Sequence, residues 1–268
     1  MSELRQRVMV SVIFIPLLLA ALWLGGGYLI AMFSLVSILG GLEYFTMMRG
    51  KGHRVAWIWL GLGTALFVAL LIWRELDLVF AWVALLALIL DAILDWDENT
   101  SVPRVFSISF GLLYTAVLPA MITRIGLDYI GQPILLSLVM MIWIVDSVAY
   151  FVGMSFGKHR NVTAVSPRKS LEGFLAGVFV PFLIVIILYF TKVDFLSGWL
   201  MALIAIAAGV FGQLGDLAES MLKRYCGVKD SSRLIPGHGG ILDRVDSLLL
   251  AGSFLYCALK LFGMIECL

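Results

Sequence analysis

Long apolar runs separated by short polar segments fill the chain from one end to the other. A helix that spans a bilayer needs about 20 mostly apolar residues. Nine runs meet or approach that length, at residues 8–24, 27–48, 55–73, 78–94, 105–123, 133–153, 173–191, 198–222 and 241–264. The pattern therefore predicts an all-α fold, a polytopic membrane bundle of about nine transmembrane helices.

The composition leads to the same prediction. Of 268 residues, 62% are apolar and 14% are charged, and the net charge is +1. Soluble domains carry about 25% charged residues, and a globule of this size could not bury so much apolar surface. Lipid must cover the excess. The composition excludes a disordered chain, and the near-zero net charge disfavours a nucleic-acid partner.

Positive charges orient the predicted bundle. With the N-terminus in the cytoplasm, fifteen Lys and Arg residues fall on the cytoplasmic side and four on the other. Such a bias is typical of cytoplasmic loops, so we expect a cytoplasmic N-terminus. The chain shows no convincing internal repeat. We divide it into N-terminal transmembrane helices, residues 1–125, and a C-terminal region, residues 126–268, which carries the polar motifs.

One group of polar residues lies in and after the sixth run. Asp146, Tyr150 and Gly153 follow Trp143 at helical spacing, so the four share one face. A carboxylate within a membrane helix is costly. We therefore favour a functional role for Asp146 over a role in helix packing. Gly153 and Gly157 fit close helix packing better than ligand contact. Such a pair also permits association between chains, so a homo-oligomer such as a dimer stays open. The following loop carries Ser166, Arg168 and Lys169; positive-inside topology explains its charge, but it also suits phosphate binding.

A second group begins near the end of the eighth run. Asp216, Glu219 and Lys223 are spaced i, i+3, i+7, so their stripe is expected to face the protein interior. Asp243 and Asp246 share one face at the start of the last helix, where the helix dipole alone would favour acidic residues. With Asp216 approaching from another helix, however, the three carboxylates form an oxygen-rich site suited to Mg²⁺.

Between these helices lies a glycine-rich loop, residues 237–240. Its backbone N–H groups, at a helix N-terminus, are expected to bind phosphate oxygens. His238 either contacts phosphate or acts as an acid, or it is an ordinary hydrogen-bonding residue of the loop. Carboxylates beside several basic residues indicate a metal–polyphosphate site that opens to the cytoplasm. The residues themselves predict phosphoryl or nucleotidyl transfer to a membrane-borne substrate, without identifying the nucleotide.

The run from Ser220 to Asp246, SMLKRYCGVKDSSRLIPGHGGILDRVD, resembles the signature of the phosphatidate cytidylyltransferases, or CDP-diacylglycerol synthases. That signature reads Ser-x-x-Lys-Arg, Lys-Asp, Pro-x-His-Gly-Gly and Asp-Arg-x-Asp, and every position is met. The earlier segment Ser166–Ser170 is also similar, although the family usually has Lys and Thr where this chain has Arg168 and Ser170. The N-terminal half matches only as generic apolar helices.

The resemblance implies an enzyme that converts CTP and phosphatidate to CDP-diacylglycerol and pyrophosphate, with a phosphatidate oxygen attacking the α-phosphorus in line. Together with the helix-face geometry, it implies Mg²⁺ held by Asp216, Asp243 and Asp246, with a second metal or monovalent cation left open. Lys223 and Arg244 complete the implied catalytic set. The implied substrate-binding residues are Ser166, Arg168, Lys169, Ser220, Arg224, Lys229, His238, Gly239 and Gly240, with Asp146 as a base contact or an indirect participant.

Two other interpretations remain. A CTP-dependent polyprenol kinase would transfer the γ-phosphoryl group to a lipid alcohol, and a transporter would use the intramembrane charges as an ion path. The complete motif favours the cytidylyltransferase over the kinase, and the absence of two related halves in the sequence weakens the transporter. The expected location is a bacterial cytoplasmic membrane, with the acyl chains of the lipid entering sideways from the bilayer.

Overall fold

A computed structural model describes residues 3–192 and 196–263, without the side chains of residues 3–11 and 13. The α-helices are α1 (Glu3–Leu24), α2 (Gly26–Lys51), α3 (Ile58–Ile72), α4 (Asp77–Leu94), α5 (Ser101–Leu112), α6 (Leu118–Asp128), α7 (Ile134–Phe156), α8 (Leu171–Phe190), α9 (Gly198–Ile206), α10 (Gln213–Tyr225) and α11 (Leu242–Leu261). The described residues contain two isolated β-bridges and no strand, so the all-α prediction is confirmed.

Six helical segments among the described residues are long and apolar enough to cross a membrane. They are Gly26–Lys51, Arg74–Leu94, Ser101–Asp128, Ile134–Phe156, Leu171–Phe190 and Gly198–Tyr225. Helices α1, α3 and α11 coincide with the other three predicted runs, although residue 264, the predicted end of the last run, lies outside the described residues. Nine transmembrane crossings therefore stay a prediction.

Two of the long helices contain a π-helical turn. The turn Leu113–Val117 joins α5 to α6, and the turn Ala207–Gly212 joins α9 to α10. A π turn adds a residue and frees backbone groups, and such turns are frequent at functional sites. In the second turn, the side-chain amide of Gln213 donates to the Gly209 carbonyl at 2.6 Å. The turn thus sits immediately before the helix that carries Asp216.

Helix α11 lies at the centre of the packing. It contacts α6, α10 and the second π turn, and Leu249, Ala251, Leu255 and Leu259 have no exposed surface. At Gly215 a Cβ atom would overlap the main-chain carbonyl of Asp246, so the absent side chain lets α10 approach α11 closely. In contrast, α4 exposes most of its apolar side chains, including Leu78 at 86%. Such exposed apolar surface is what lipid would cover.

An ion pair made by a buried arginine joins four helices at the end of the bundle away from the polar motifs. Arg124 of α6 donates to both carboxylate oxygens of Asp77 at 2.7 and 2.6 Å. It also donates to the Tyr256 hydroxyl at 3.0 Å and to the carbonyl of Leu70. Because this buried guanidinium is so fully hydrogen-bonded, it fastens α3, α4, α6 and α11 together.

Candidate active site

The acidic stripe of α10 faces the interior, as predicted. The side chain of Glu219 is fully buried and that of Lys223 is 12% exposed. Lys223 Nζ forms an ion pair with Glu219 and another, at 2.6 Å, with Asp243 Oδ1 on α11. Buried charges need such partners, because an unpaired one is expensive to remove from water. One lysine therefore holds two carboxylates from facing helices.

Asp243 anchors the loop that precedes its own helix. Its Oδ2 accepts hydrogen bonds from the Ser231 N–H at 2.8 Å, the Ser231 hydroxyl at 2.7 Å and the Gly240 N–H at 2.8 Å. Its Oδ1 contacts Lys223. A carboxylate oxygen offers about two lone-pair sites, so these partners occupy the acceptor capacity of Oδ2.

A residue that the sequence analysis missed caps α11. Glu43 of α2, 4% exposed, accepts hydrogen bonds from the Ile241 and Leu242 N–H groups, both at 2.9 Å. It also accepts from the hydroxyls of Ser231 at 3.0 Å and Ser232 at 2.7 Å. Its only sequence signal is a lone carboxylate inside the apolar run 27–48, a pattern that by itself marks an unusual position.

These contacts correct the expectation for Gly240 in the glycine-rich loop, whereas phosphate binding by Gly239 stays a prediction. The N–H groups of Gly240, Ile241 and Leu242 bind the Asp243 and Glu43 carboxylates, so they are not available to phosphate. The loop itself forms a tight turn in which the His238 N–H donates to the Ile235 carbonyl at 2.9 Å. Gly237, with φ 76°, takes the left-handed position that this turn requires after a proline.

The loop between α7 and α8 packs against the same end of the bundle. Lys169 forms an ion pair with Asp216, and their side chains are 35% and 32% exposed. Ser170 caps α8 by accepting from the Gly173 N–H at 3.1 Å. Side chains on Gly153 or Gly157 would overlap or crowd Ser170, so this glycine pair serves close packing within the chain. It gives no support to a dimer.

Two cavities meet at the carboxylates, and they differ in the charged side chains that line them. A cavity of about 570 Å³, called the polar cavity below, is lined by the basic side chains of Arg160, Arg168 and Lys169 and by Asp146, Asp216 and Asp246. It lies between α7, α8, α10 and α11. Tyr150 and Gly153 line it beside Asp146, which confirms that these three share one face of α7.

A second cavity of about 280 Å³, called the apolar cavity below, lies between α1, α2, α7 and α11. Its walls include Leu18, Met32, Phe33, Val36, Ile142 and Trp143. His238 and Arg244 line it together with Asp146, Asp243 and Asp246, and the last three also line the polar cavity. A polar chamber and an apolar one therefore share one set of carboxylates.

Comparison with known proteins identifies the family of the chain. The model of the Cytidylyltransferase family matches residues 5–262, which is nearly the whole chain. The chain belongs to the Cytidylyltransferase family. The match includes the N-terminal helices, so the family resemblance extends beyond the C-terminal motif.

Three relatives carry the name phosphatidate cytidylyltransferase. The protein of Staphylococcus haemolyticus is 37% identical over 177 residues, which cover 58% of this chain and 68% of the relative. The Bacillus subtilis protein is 44% identical over 138 residues, 52% of this chain and 51% of the relative. The Staphylococcus saprophyticus protein is 46% identical over 125 residues, 46% of each chain. The chain thus spans about half the length of the latter two relatives in these alignments.

The carboxylates fit a cation that arrives with a phosphate substrate. Within residues 3–192 and 196–263, no three His, Cys, Asp or Glu side chains surround a common metal position. Mg²⁺, however, is usually held by one or two carboxylates plus substrate phosphates. Asp216 and Asp246 line the polar cavity from facing helices, so they fit such a pair. The set of three carboxylates, Asp216, Asp243 and Asp246, stays a prediction.

The remaining predicted residues lie around this centre. Ser220 is buried on α10, and Ser166 is half-buried in the α7–α8 loop. Arg224 and Lys229 are exposed, and Arg224 donates to the Val228 carbonyl at 3.1 Å. Gly239, with φ 82°, lies against the Asp243 carboxylate, which a Cβ atom would crowd. The predicted substrate contacts of these residues stay predictions.

The loop between α2 and α3 contacts the end of α10. His53 Nε2 lies 2.7 Å from the Tyr225 hydroxyl, and the Lys51 ammonium lies over the Tyr225 ring. Partial burial, together with the charge of Lys51, lowers the pKa of His53 below its usual value. The surroundings of His53 therefore favour the neutral imidazole.

Proposed function

We propose that the protein transfers the cytidylyl group of CTP to phosphatidate, forming CDP-diacylglycerol and pyrophosphate. Family membership supports the reaction class, and the relatives' shared name supports the acceptor. The observation that carries the proposal is the meeting of a polar and an apolar cavity at Asp146, Asp243 and Asp246. A reaction between a water-soluble nucleotide and a membrane lipid needs two such chambers with one common point.

We assign CTP to the polar cavity and the lipid to the apolar cavity. A triphosphate carries more negative charge than a phosphomonoester, so it needs more cationic partners. Arg160, Arg168 and Lys169 line the polar cavity, whereas Arg244 is the arginine that lines the apolar one. In the assignment, Arg244 and His238 bind the phosphatidate headgroup while the apolar walls hold the adjoining acyl segments.

The proposed step is an in-line displacement at the α-phosphorus of CTP. A phosphate oxygen of phosphatidate forms a bond to this phosphorus, and the bond to the β-phosphate oxygen breaks as pyrophosphate leaves. The lipid supplies the nucleophile, so no serine or cysteine of the protein is needed. Catalysis then rests on positioning two anions and offsetting their charge, as in other phosphoryl transfers.

Each group near the carboxylates has a role in this proposal. Asp216 and Asp246 would hold Mg²⁺, which when bound supplies positive charge against the triphosphate and the leaving pyrophosphate. Asp243 orients Lys223 and the loop, since its oxygens already have protein partners. Lys169 exchanges Asp216 for a phosphate oxygen when CTP binds. Asp146 faces both cavities and is assigned to substrate positioning.

We also propose nine membrane crossings, a cytoplasmic N-terminus and a site that opens to the cytoplasm of a bacterial cell. The distribution of fifteen basic residues against four supports this topology. CTP would then reach the polar cavity from the cytoplasm, and phosphatidate would reach the apolar cavity from the bilayer. Cysteine labelling from each side of sealed vesicles tests the orientation.

The proposed reaction is tested with purified protein, CTP, phosphatidate vesicles and Mg²⁺. Pyrophosphate release is expected only when both substrates are present, with an equal amount of CDP-diacylglycerol formed. Release of pyrophosphate without phosphatidate would contradict the proposed acceptor. If no pyrophosphate is released at any concentration of CTP and phosphatidate, the proposed reaction itself is contradicted.

A further inference from the structure

Glu43 is the single acidic residue of α2, and it is buried where an apolar helix meets the active-site loop. Burial of a carboxylate is costly unless hydrogen bonds replace its hydration. All four of its donors lie at least 188 residues later in the chain, on the segment from Ser231 to Leu242. The buried charge of α2 is therefore used entirely to bind a segment that is distant in the sequence.

The donors show what the carboxylate does. Two are the N–H groups of Ile241 and Leu242, at the start of α11, where Ile241 supplies no side-chain cap. Free N–H groups at a helix start need acceptors, and a negative charge there also stabilises the helix dipole. Glu43 thus provides from α2 the cap that α11 does not provide for itself.

The same carboxylate is linked to Asp243. The Ser231 hydroxyl lies 3.0 Å from Glu43 Oε2 and 2.7 Å from Asp243 Oδ2, so its single proton is shared between the two carboxylates and is donated fully to only one of them at a time. A Cβ atom on Gly240 would overlap both Glu43 and Ser231, so this glycine makes room for the contact. Glu43 itself lines neither cavity.

We propose that Glu43 is a positioning residue for the cytidylyl transfer, anchoring loop 231–240 and the first turn of α11 so that Asp243 holds Lys223 in place. The role rests on the proposed function of this site. Because Glu43 touches neither cavity, its effect is exerted through Ser231, Asp243 and the helix start. A helix of the N-terminal half thereby becomes part of the catalytic arrangement.

The test uses the full-length protein with Glu43→Gln and Glu43→Asp. Gln keeps the size but turns an NH₂ group toward donors, whereas Asp keeps the charge with a shorter reach. Glu43→Gln is expected to lower kcat at least about thirtyfold, with less than about a threefold change in either KM. Glu43→Asp is expected to retain more activity than Glu43→Gln, which a merely space-filling role would not produce.

A second readout follows the loop itself. Lys229 and Arg233 are trypsin sites in or beside the loop, and cleavage there requires local opening. Glu43→Gln is expected to raise this cleavage rate at least about tenfold. If that variant does not accumulate, Ser231→Ala is used instead, because it removes the hydroxyl shared by the two carboxylates. It is expected to lower kcat and to raise the cleavage rate, both by smaller factors than Glu43→Gln.

Asp77→Asn is the control, since it removes a carboxylate, 33% exposed, from an ion pair with a buried arginine at the other end of the bundle. It is expected to lower stability without changing loop cleavage or kcat. Unchanged cleavage or kcat in Glu43→Gln, or equal changes in Asp77→Asn, would overturn the proposal. A wild-type protein without cytidylyltransferase activity would refute the proposed function instead, and loop cleavage would still decide the anchoring.

Discussion

Replacing Lys223 by methionine should strongly destabilise the bundle. Methionine keeps much of the length of the lysine side chain but leaves Glu219, which is 0% exposed, and Asp243, which is 6% exposed, without their shared cation. Breaking a buried ion pair by removing one partner costs about 3–5 kcal/mol. Protonation of a carboxylate would limit the loss, so we expect a value of about 3 kcal/mol.

The assay is unfolding of the purified protein by SDS in mixed micelles, followed by tryptophan fluorescence. Lys169→Met is the matched control, because its ion pair with Asp216 is about one third exposed on both sides. Exposed pairs contribute about 0–1 kcal/mol, so this control should unfold close to the wild type. An equal loss in the two methionine variants would refute the reasoning about burial.

A double-mutant cycle isolates the cause. Glu219→Gln removes one of the two uncompensated charges, so Glu219→Gln with Lys223→Met should be more stable than the sum of the single changes indicates. Contacting residues in one network give coupling energies of about 0.5–3 kcal/mol. Additivity of the two changes would show that Lys223 does not stabilise the fold through Glu219.

The other predictions concern substrate binding and pH. Asp246→Asn should lower CDP-diacylglycerol formation at least about tenfold without changing membrane insertion, since a metal site contributes several kcal/mol; more than a tenth of wild-type activity would contradict the metal assignment. Lys169→Ala should raise the KM for CTP and not that for phosphatidate, and the reverse would place the lipid headgroup in the polar cavity. The pKa of His53 is lowered in the fold, so the folded state binds fewer protons and its contact with α10 weakens as pH falls. The difference in thermal midpoint between wild type and His53→Ala should therefore shrink from about pH 8 to about pH 5.5, and a constant difference would contradict this.

Local periodicity was sufficient to predict the helices and the faces of the site. The spacing of Asp216, Glu219 and Lys223 predicts one stripe; in the structure Lys223 pairs with Asp243 of α11, and Asp216 lines a cavity together with Asp246 of α11. Likewise, Asp243 and Asp246 line the same cavities, as their separation by three residues indicates. Helical geometry fixes such relations between near neighbours without any knowledge of tertiary packing.

The partners of the buried groups could not be predicted in this way. Glu43 meets the start of α11 across about 200 residues of sequence, a contact that depends on how α2 packs in the bundle. That contact also uses two N–H groups at the start of α11, directly after the loop whose N–H groups were expected to bind phosphate. Spacing identifies which groups a helix end presents, whereas only the assembled fold shows which of them are already bound.

The fate of the CTP phosphates tests the central claim most directly. Purified protein would be incubated with phosphatidate, Mg²⁺ and CTP labelled either at the α- or at the γ-phosphate. The α-label is expected to enter the lipid, and the γ-label is expected to be released as pyrophosphate. A lipid that carries the γ-label, with CDP released, would show phosphoryl transfer and contradict cytidylyl transfer.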